Sequence, residues 1–188
     1  MFITIEGIDG TGKSTQSIKL AECLEAKTGR KTIRTAEPYI LREFILGNKN
    51  LCAQSDLLLF LADRAEHVNK IIIPALNANE NIICERYNDS TLAYQSNTEL
   101  AKELIAACKF PEPDVKILLD IDPEIAFSRV LSRNNHNDKF EAEGLALMKR
   151  VSERYRELYS SNEGIVIACD DLDEGQVFER IIECLQFR

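Results

Sequence analysis

Residues 7 to 15 read Gly7-Ile8-Asp9-Gly10-Thr11-Gly12-Lys13-Ser14-Thr15, a G-x-x-x-x-G-K-S spacing. Glycines so placed let the backbone turn its N–H groups inward around an anion, and a cation and a hydroxyl follow at once. The chemistry predicted is the cradling of a nucleoside triphosphate, ATP in the first instance. The backbone of Gly7 to Thr15 surrounds the phosphates, Lys13 reaches the β- and γ-phosphates, and the Ser14 hydroxyl is a ligand for Mg²⁺. A cradle of this kind must leave a strand and open a helix, so that the positive end of the helix dipole also faces the phosphates. Both flanks are present: Phe2 to Glu6 is a short apolar run, and Lys13 to Lys27 has a helical pattern. A chance glycine turn with a lysine beside it would have neither.

The remaining chain supplies the elements that must hold this P-loop. Apolar, β-branched runs recur at Lys31 to Ala36, Asn81 to Glu85, Val115 to Ile121 and Gly164 to Ala168. Between them lie helical patterns over Ala53 to Asn77, Thr98 to Cys108, Pro123 to Arg133, Glu141 to Ser160 and Glu174 to Gln186, with short ones near Leu41 and Ser90. Asp122 followed by Pro123 starts a helix, and Gly29 ends the first one. Strands alternating with helices predict an α/β fold: a five-stranded parallel sheet flanked by helices in three layers, of the P-loop NTPase type, with phosphates at the carboxyl ends of the strands. One domain over residues 1–188 is expected at this length.

Composition narrows the partners. With 45% apolar and 29% charged residues the chain can bury a core, and its net charge of −8 argues against nucleic acid or an anionic membrane as a partner. The richest apolar run, Leu57 to Ala62, falls far short of the ~18 residues that would span a bilayer, and no secretory leader is visible. A cytoplasmic protein is expected. Six widely spaced cysteines without a Cys-x-x-Cys pair are read as small apolar core residues, and His67 and His136 as isolated from any carboxylate or cysteine. An acidic chain that binds phosphates must gather its cations locally.

The P-loop alone does not choose the acceptor. No guanine-reading Asn/Thr-Lys-x-Asp segment is present, which leaves a small-molecule kinase in front. Four segments then resemble the thymidylate kinase family, in register over nearly the whole chain: Ile5 to Gln16, with its acidic Asp9 inside the P-loop; Thr35-Ala36-Glu37-Pro38; Leu58 to Val68, with the family's Phe-x-x-x-Arg at Phe60 and Arg64; and Glu85-Arg86-Tyr87-Asn88-Asp89-Ser90-Thr91-Leu92-Ala93-Tyr94-Gln95. The resemblance implies transfer of the γ-phosphoryl of ATP to dTMP, giving dTDP and ADP. It also implies the roles of individual residues. Phe60 stacks on thymine and Arg64 bonds its carbonyl, the two sharing one helix face; taken alone, the pair also fits a core Phe beside a surface Arg. Ser90, Thr91, Tyr94 and Gln95 line the same pocket, Tyr94 crowding the site of a ribose 2′-hydroxyl, although Ser90 and Thr91 by themselves fit helix caps. Glu37, Arg42 and Arg86 shape the monophosphate site, Asp9 faces the acceptor, and Glu85 stands with Ser14 near Mg²⁺.

A short lid over ATP, about residues 133–141, is likewise implied, with Arg133 and Lys139 as its cations; the polar run Asn134 to Lys139 equally fits a solvated loop. Lys13, Asp9, Arg86, Arg133 and Lys139 form the expected catalytic set. Asp170 to Asp173 resembles the segment that borders adenine. The family is homodimeric, and the apolar helix face through Leu57, Leu58 and Leu61 fits either an interface or the monomer's core. Tyr39-Ile40-Leu41 replaces the family's two glycines and hydroxyl residue, Ala36 an arginine, Glu85 an aspartate and Lys139 a lid arginine. These departures keep two rivals open: a kinase of another small nucleotide or nucleoside, and a catalytically weak ATP-binding regulator.

Overall fold

In the computed structural model, which describes residues 1–47, 51–95, 97–132, 139–161 and 164–185, all five apolar runs are strands. They are β1 (Phe2–Glu6), β2 (Thr32–Ala36), β3 (Asn81–Glu85), β4 (Val115–Asp120) and β5 (Ile165–Ala168). Every pairing is parallel, in the order β2-β3-β1-β4-β5. Helices α1 (Lys13–Thr28), α2 (Arg42–Gly47), α3 (Ala53–His67), α4 (Ile73–Asn77), α5 (Asn88–Tyr94), α6 (Thr98–Cys108), α7 (Pro123–Leu131), α8 (Lys139–Leu158) and α9 (Glu174–Leu185) complete it. β1 is buried at all five positions, the polar Thr4 and Glu6 included, as expected of a parallel strand covered on both faces. Among the described residues no helix is long and apolar enough to cross a membrane.

Buried residues cover both faces of the sheet and fall into two apolar clusters, the larger of which reaches both faces. Ile3, Ile5, Ile117 and Leu119 pack with Leu20 and Leu24 of α1 and with Val151 and Tyr155 of α8 in the larger cluster. Phe2, Ile82, Cys84 and Tyr87 meet Val68, Ile72 and Ala75 in the smaller one. The site-bearing ends of β1 and β3 are therefore clamped from both faces.

Local signals explain most boundaries, and one expectation needs correction. The single helix expected over Ala53 to Asn77 is α3 and α4 joined by a π-helical turn, Val68–Ile72. Pro74 has no N–H for the carbonyl four residues back and its ring crowds that carbonyl, which the wider turn accommodates. The two short helices expected near Leu41 and Ser90 are α2 and α5. α8 starts two residues early and contains Gly144 at φ 66°, outside helical geometry.

The cysteines also need correction: Cys84 and Cys169 are buried, but Cys52, Cys108 and Cys184 are exposed, and all six are free thiols. Lack of pairing motifs excluded a framework without saying which helix face each thiol occupies.

Gly29 ends α1 in the left-handed region at φ 64°, as expected. Asp122 caps α7, its carboxylate accepting from the N–H of Glu124 at 2.7 Å and of Ile125 at 3.4 Å. Asp122→Ala should cost about 1 kcal/mol, read as a lower urea midpoint at unchanged slope.

Candidate active site

The P-loop joins the end of β1 to the start of α1 through three glycines with positive φ: Gly7 (139°), Gly10 (88°) and Gly12 (91°). Two of them also leave no room for a side chain. A Cβ on Gly7 would stand 2.6 Å from the Leu119 carbonyl oxygen, and one on Gly10 would stand 2.4 Å from that of Ala126. The loop is thus pressed onto β4 and α7, and its curvature is set by backbone on both sides.

Lys13 folds back over this loop. Its Nζ donates to the carbonyls of Gly7 at 2.9 Å and Ile8 at 2.7 Å, and lies 3.8 Å from Asp9. Burial, with the Arg86 cation nearby, brings its pKa down to about 7. Thr11 Oγ1 donates to the Ile8 carbonyl at 3.0 Å, while the Ile8 side chain belongs to the core. The Ser14 hydroxyl donates to Glu85 at 2.6 Å, and Ser17 holds the other oxygen of that carboxylate at 2.6 Å. Hydroxyl and carboxylate together are the hard oxygen pair that Mg²⁺ prefers, so these residues fit that ion.

A second cleft abuts the first. Its lining contains all ten residues expected around the acceptor: Asp9, Glu37, Arg42, Phe60, Arg64, Arg86, Ser90, Thr91, Tyr94 and Gln95. The phosphate cleft is lined by Gly10, Gly12, Lys13, Ser14, Thr15 and Glu85, and shares Asp9, Glu37, Pro38, Arg42 and Arg86 with its neighbour. Arg86 belongs to this common wall. Its residue sits at φ 67° just after β3, its N–H bonded to the Ile5 carbonyl, and its Nη2 is 2.6 Å from Asp9 Oδ1. The guanidinium carbon is 5.0 Å from the centre of the Tyr94 ring. Burial alone would raise the Asp9 pKa, but Arg86 and Lys13 outweigh it and hold the carboxyl down at about 2.

Among the described residues Arg64 is the largest fully buried side chain, at 1% exposure, which removes the surface ion-pair alternative. Its Nε donates to Glu37 at 2.8 Å, and Nη2 donates to the Tyr87 carbonyl and to Thr91 Oγ1, each at 2.9 Å. Nη1 is buried without a hydrogen-bond partner. A buried charged donor left open beside a cleft is costly unless something from the cleft accepts from it.

The hydroxyl of Ser90 is not open to a ligand, because it donates to Glu6 at 2.5 Å and pairs with Tyr155 at 2.7 Å. Arg133 and residues 134–138 of the expected lid lie outside the described residues, and of Lys139 and Glu141 only the backbone is described, in α8. The Asp170 to Asp173 segment leads into α9, which is tied to α1 by Lys19–Glu174 at 2.7 Å and by Gln16 Nε2 donating to the Glu174 carbonyl.

Several participants were missed. His67 is fully buried and 2.9 Å from Glu37, so its reading as isolated is corrected; thirty residues of sequence hid the contact. Asp63 accepts from the backbone N–H groups of Tyr39, Ile40 and Leu41, which secures the loop where the family glycines are replaced. Arg34 of β2 lies 3.6 Å from Glu85. Only Asp63, adjoining the Phe-x-x-x-Arg motif, carried any signal in the sequence.

A P-loop between β1 and α1, whose cleft shares a wall with a second cleft, is the arrangement of a P-loop kinase of small molecules. The chain belongs to the thymidylate kinase family: a sequence model described as Thymidylate kinase matches residues 5–181. The thymidylate kinase of Solidesulfovibrio magneticus is 42% identical, with 84% of this chain and 85% of that one covered. That of Maridesulfovibrio salexigens is 39% identical, with 96% and 93% covered. Among solved structures, thymidylate kinase from Ehrlichia chaffeensis superposes with a TM-score of 0.78 at 29% identity, covering 99% of this chain and 98% of that one.

One carboxylate beneath the site is titratable near neutrality. Glu6 ends β1, fully buried, and accepts from the Tyr87 N–H at 2.7 Å as well as from Ser90 and Tyr155. Burial, with the Asp89 charge adding to it, raises its pKa from 4.5 to about 7. The folded state therefore binds more protons than the unfolded chain between about pH 4.5 and 7, and stability falls as pH rises through that window. Glu6→Gln should remove this contribution. Urea midpoints measured from pH 5 to 7.5 should fall less steeply in the variant than in the wild type; parallel curves would contradict the assignment.

Proposed function

We propose that the two clefts carry ATP and dTMP, and that the chain transfers the γ-phosphoryl of ATP to the 5′-phosphate of dTMP, yielding ADP and dTDP. The single observation that carries this reading is Arg64: a buried guanidinium, on a residue that lines the cleft together with Phe60, with Nε and Nη2 fixed and Nη1 without a protein partner. A donor held so rigidly suits a carbonyl oxygen such as thymine O4 and opposes an amino group at the same place. Phe60 offers its face to the base, Gln95 its amide to the base edge, and Tyr94 crowds the sugar.

An acceptor phosphate oxygen attacks the γ-phosphorus as the bond to the β-bridging oxygen breaks, and the electron pair leaves with ADP. The acceptor is already an anion at neutral pH, so no general base is needed, and catalysis rests on alignment and charge. Arg86, held by Asp9, grips the acceptor phosphate in the wall between the clefts, with Arg42 at its rim. Lys13, whose pKa burial brings down to about 7, holds its proton more firmly when polyphosphate replaces the Gly7 and Ile8 carbonyls as its partner. Ser14 and Glu85 would hold Mg²⁺, which neutralises phosphate charge when bound. Arg133 and Lys139 belong to the same proposal as cations of a lid.

A homodimer is also part of this reading. Leu57 and Leu61 are buried within the monomer, at 1% and 6%, whereas Leu58 of α3 is 48% exposed and Ile73 of α4 is 38% exposed. Leu58, Ala62 and Ala65 form a short outward apolar stripe on α3, and Ile73 stands beyond the exposed Asn69 and Lys70 of the π turn.

ADP release should be measured with Mg-ATP and dTMP, dUMP, ribosyl-TMP, dCMP, dGMP, AMP or thymidine. Turnover should be fastest with dTMP, and Phe60→Ala should raise its KM by roughly 10- to 100-fold while sparing that of ATP. Turnover favouring another acceptor selects the rival kinase; tight ATP binding with no turnover selects the regulator. Light scattering should give a dimer that Leu58→Asp converts to monomer, and a monomeric wild type would remove the stripe as an interface.

A further inference from the structure

Glu37, His67 and Cys84 are buried together, with one ligand atom of each within 4.8 Å of the others. The hydrogen bonds decide what this cluster does. His67 Nδ1 lies 2.9 Å from Glu37 Oε1, its Nε2 lies 2.7 Å from Thr35 Oγ1, and its ring is stacked on Tyr39 at 5.0 Å between centroids. Glu37 spends its other oxygen on Arg64 Nε at 2.8 Å. Cys84 turns its sulfur to the Arg86 carbonyl at 3.0 Å, and burial raises its thiol well above the ordinary range. Histidine and carboxylate are likewise engaged, and the set is a hydrogen-bonded chain rather than a cation site.

We propose that His67 is a positioning residue for recognition of the acceptor base, acting through Glu37 on Arg64. This rests on the function proposed above. Glu37 can only accept, so Nδ1 of His67 carries the proton toward it, and Thr35 completes the ring's other nitrogen. A carboxylate with one oxygen on His67 and the other on Arg64 cannot rotate without breaking both bonds. Arg64 in turn cannot swing while Nε is held on Glu37 and Nη2 on Tyr87 and Thr91, and its open Nη1 is thereby aimed. His67 and Arg64 are three apart on α3, whereas Thr35 and Glu37 lie at and just beyond the end of β2, so the chain also fastens the helix to the strand.

His67→Asn and His67→Gln separate this role from packing. The amide nitrogen of Asn stands near Nδ1 and can still donate to Glu37; that of Gln stands near Nε2 and faces Thr35. The relay predicts that Asn keeps dTMP KM within about threefold of wild type, while Gln raises it about tenfold and lowers the dTMP-to-dCMP preference in kcat/KM, with saturated kcat and ATP KM little changed. A packing role predicts the reverse order, because Gln fills the ring's space better. That order, or equal and unchanged base preference in both variants, overturns the relay. Thr35→Val, which keeps the shape and removes the hydroxyl, should shift dTMP KM in the same sense and decides the question if the His67 variants do not fold. Failure of the wild type to phosphorylate dTMP would instead overturn the function on which the relay rests.

Discussion

The contact between Arg86 and Asp9 is the one on which the site depends. Two phosphate-bearing nucleotides repel each other, and a protein of net charge −8 must bring them within bonding distance. In the wall that the two clefts share stands a guanidinium, that of Arg86, fixed to a carboxylate of the P-loop 2.6 Å away. β1 and β3 are neighbours in register, with Ile5 opposite Glu85, so the residues just past their ends must meet. Asp9 leaves β1 and Arg86 leaves β3, and the parallel pairing delivers both to one edge of the sheet.

The same logic explains why so many acidic residues lie under a phosphate site. Glu6, Glu37, Asp63 and Glu85 are placed where each holds a backbone segment or a cation. Glu6 ties the end of β1 to the start of α5, Asp63 gathers the N–H groups of the loop before α2, and Glu37 orients Arg64. Buried carboxylates are expensive to desolvate, and those that survive are hydrogen-bonded or paired. Glu6 accepts three hydrogen bonds, yet its full burial and the nearby Asp89 charge push its pKa up to about 7.

Much of this was readable from residue order. The G-x-x-x-x-G-K-S run, the five apolar strands and the Phe60–Arg64 spacing are local patterns, because phosphate cradles, strands and helix faces are set over a few residues. The π turn before Pro74 and the exposure of Cys52, Cys108 and Cys184 were not readable, because helix packing and helix face decide them. Ser90 shows the limit well: its type and position fitted a ligand contact or a cap, and its hydroxyl went to a carboxylate 84 residues earlier.

By itself, then, the sequence determined the nucleotide cradle, the strand–helix alternation and a set of acceptor residues that resemble those of one kinase family. Tertiary structure alone decided that these residues share a wall with the phosphate cleft, that Arg64 is buried with one donor open, and that His67 stands behind it. The reason is the distance over which each is specified. A P-loop closes on itself within nine residues, but Glu37, Arg64, His67 and Thr91 come from β2's end, α3 and α5, and only the packing of those elements brings them to hydrogen-bonding range.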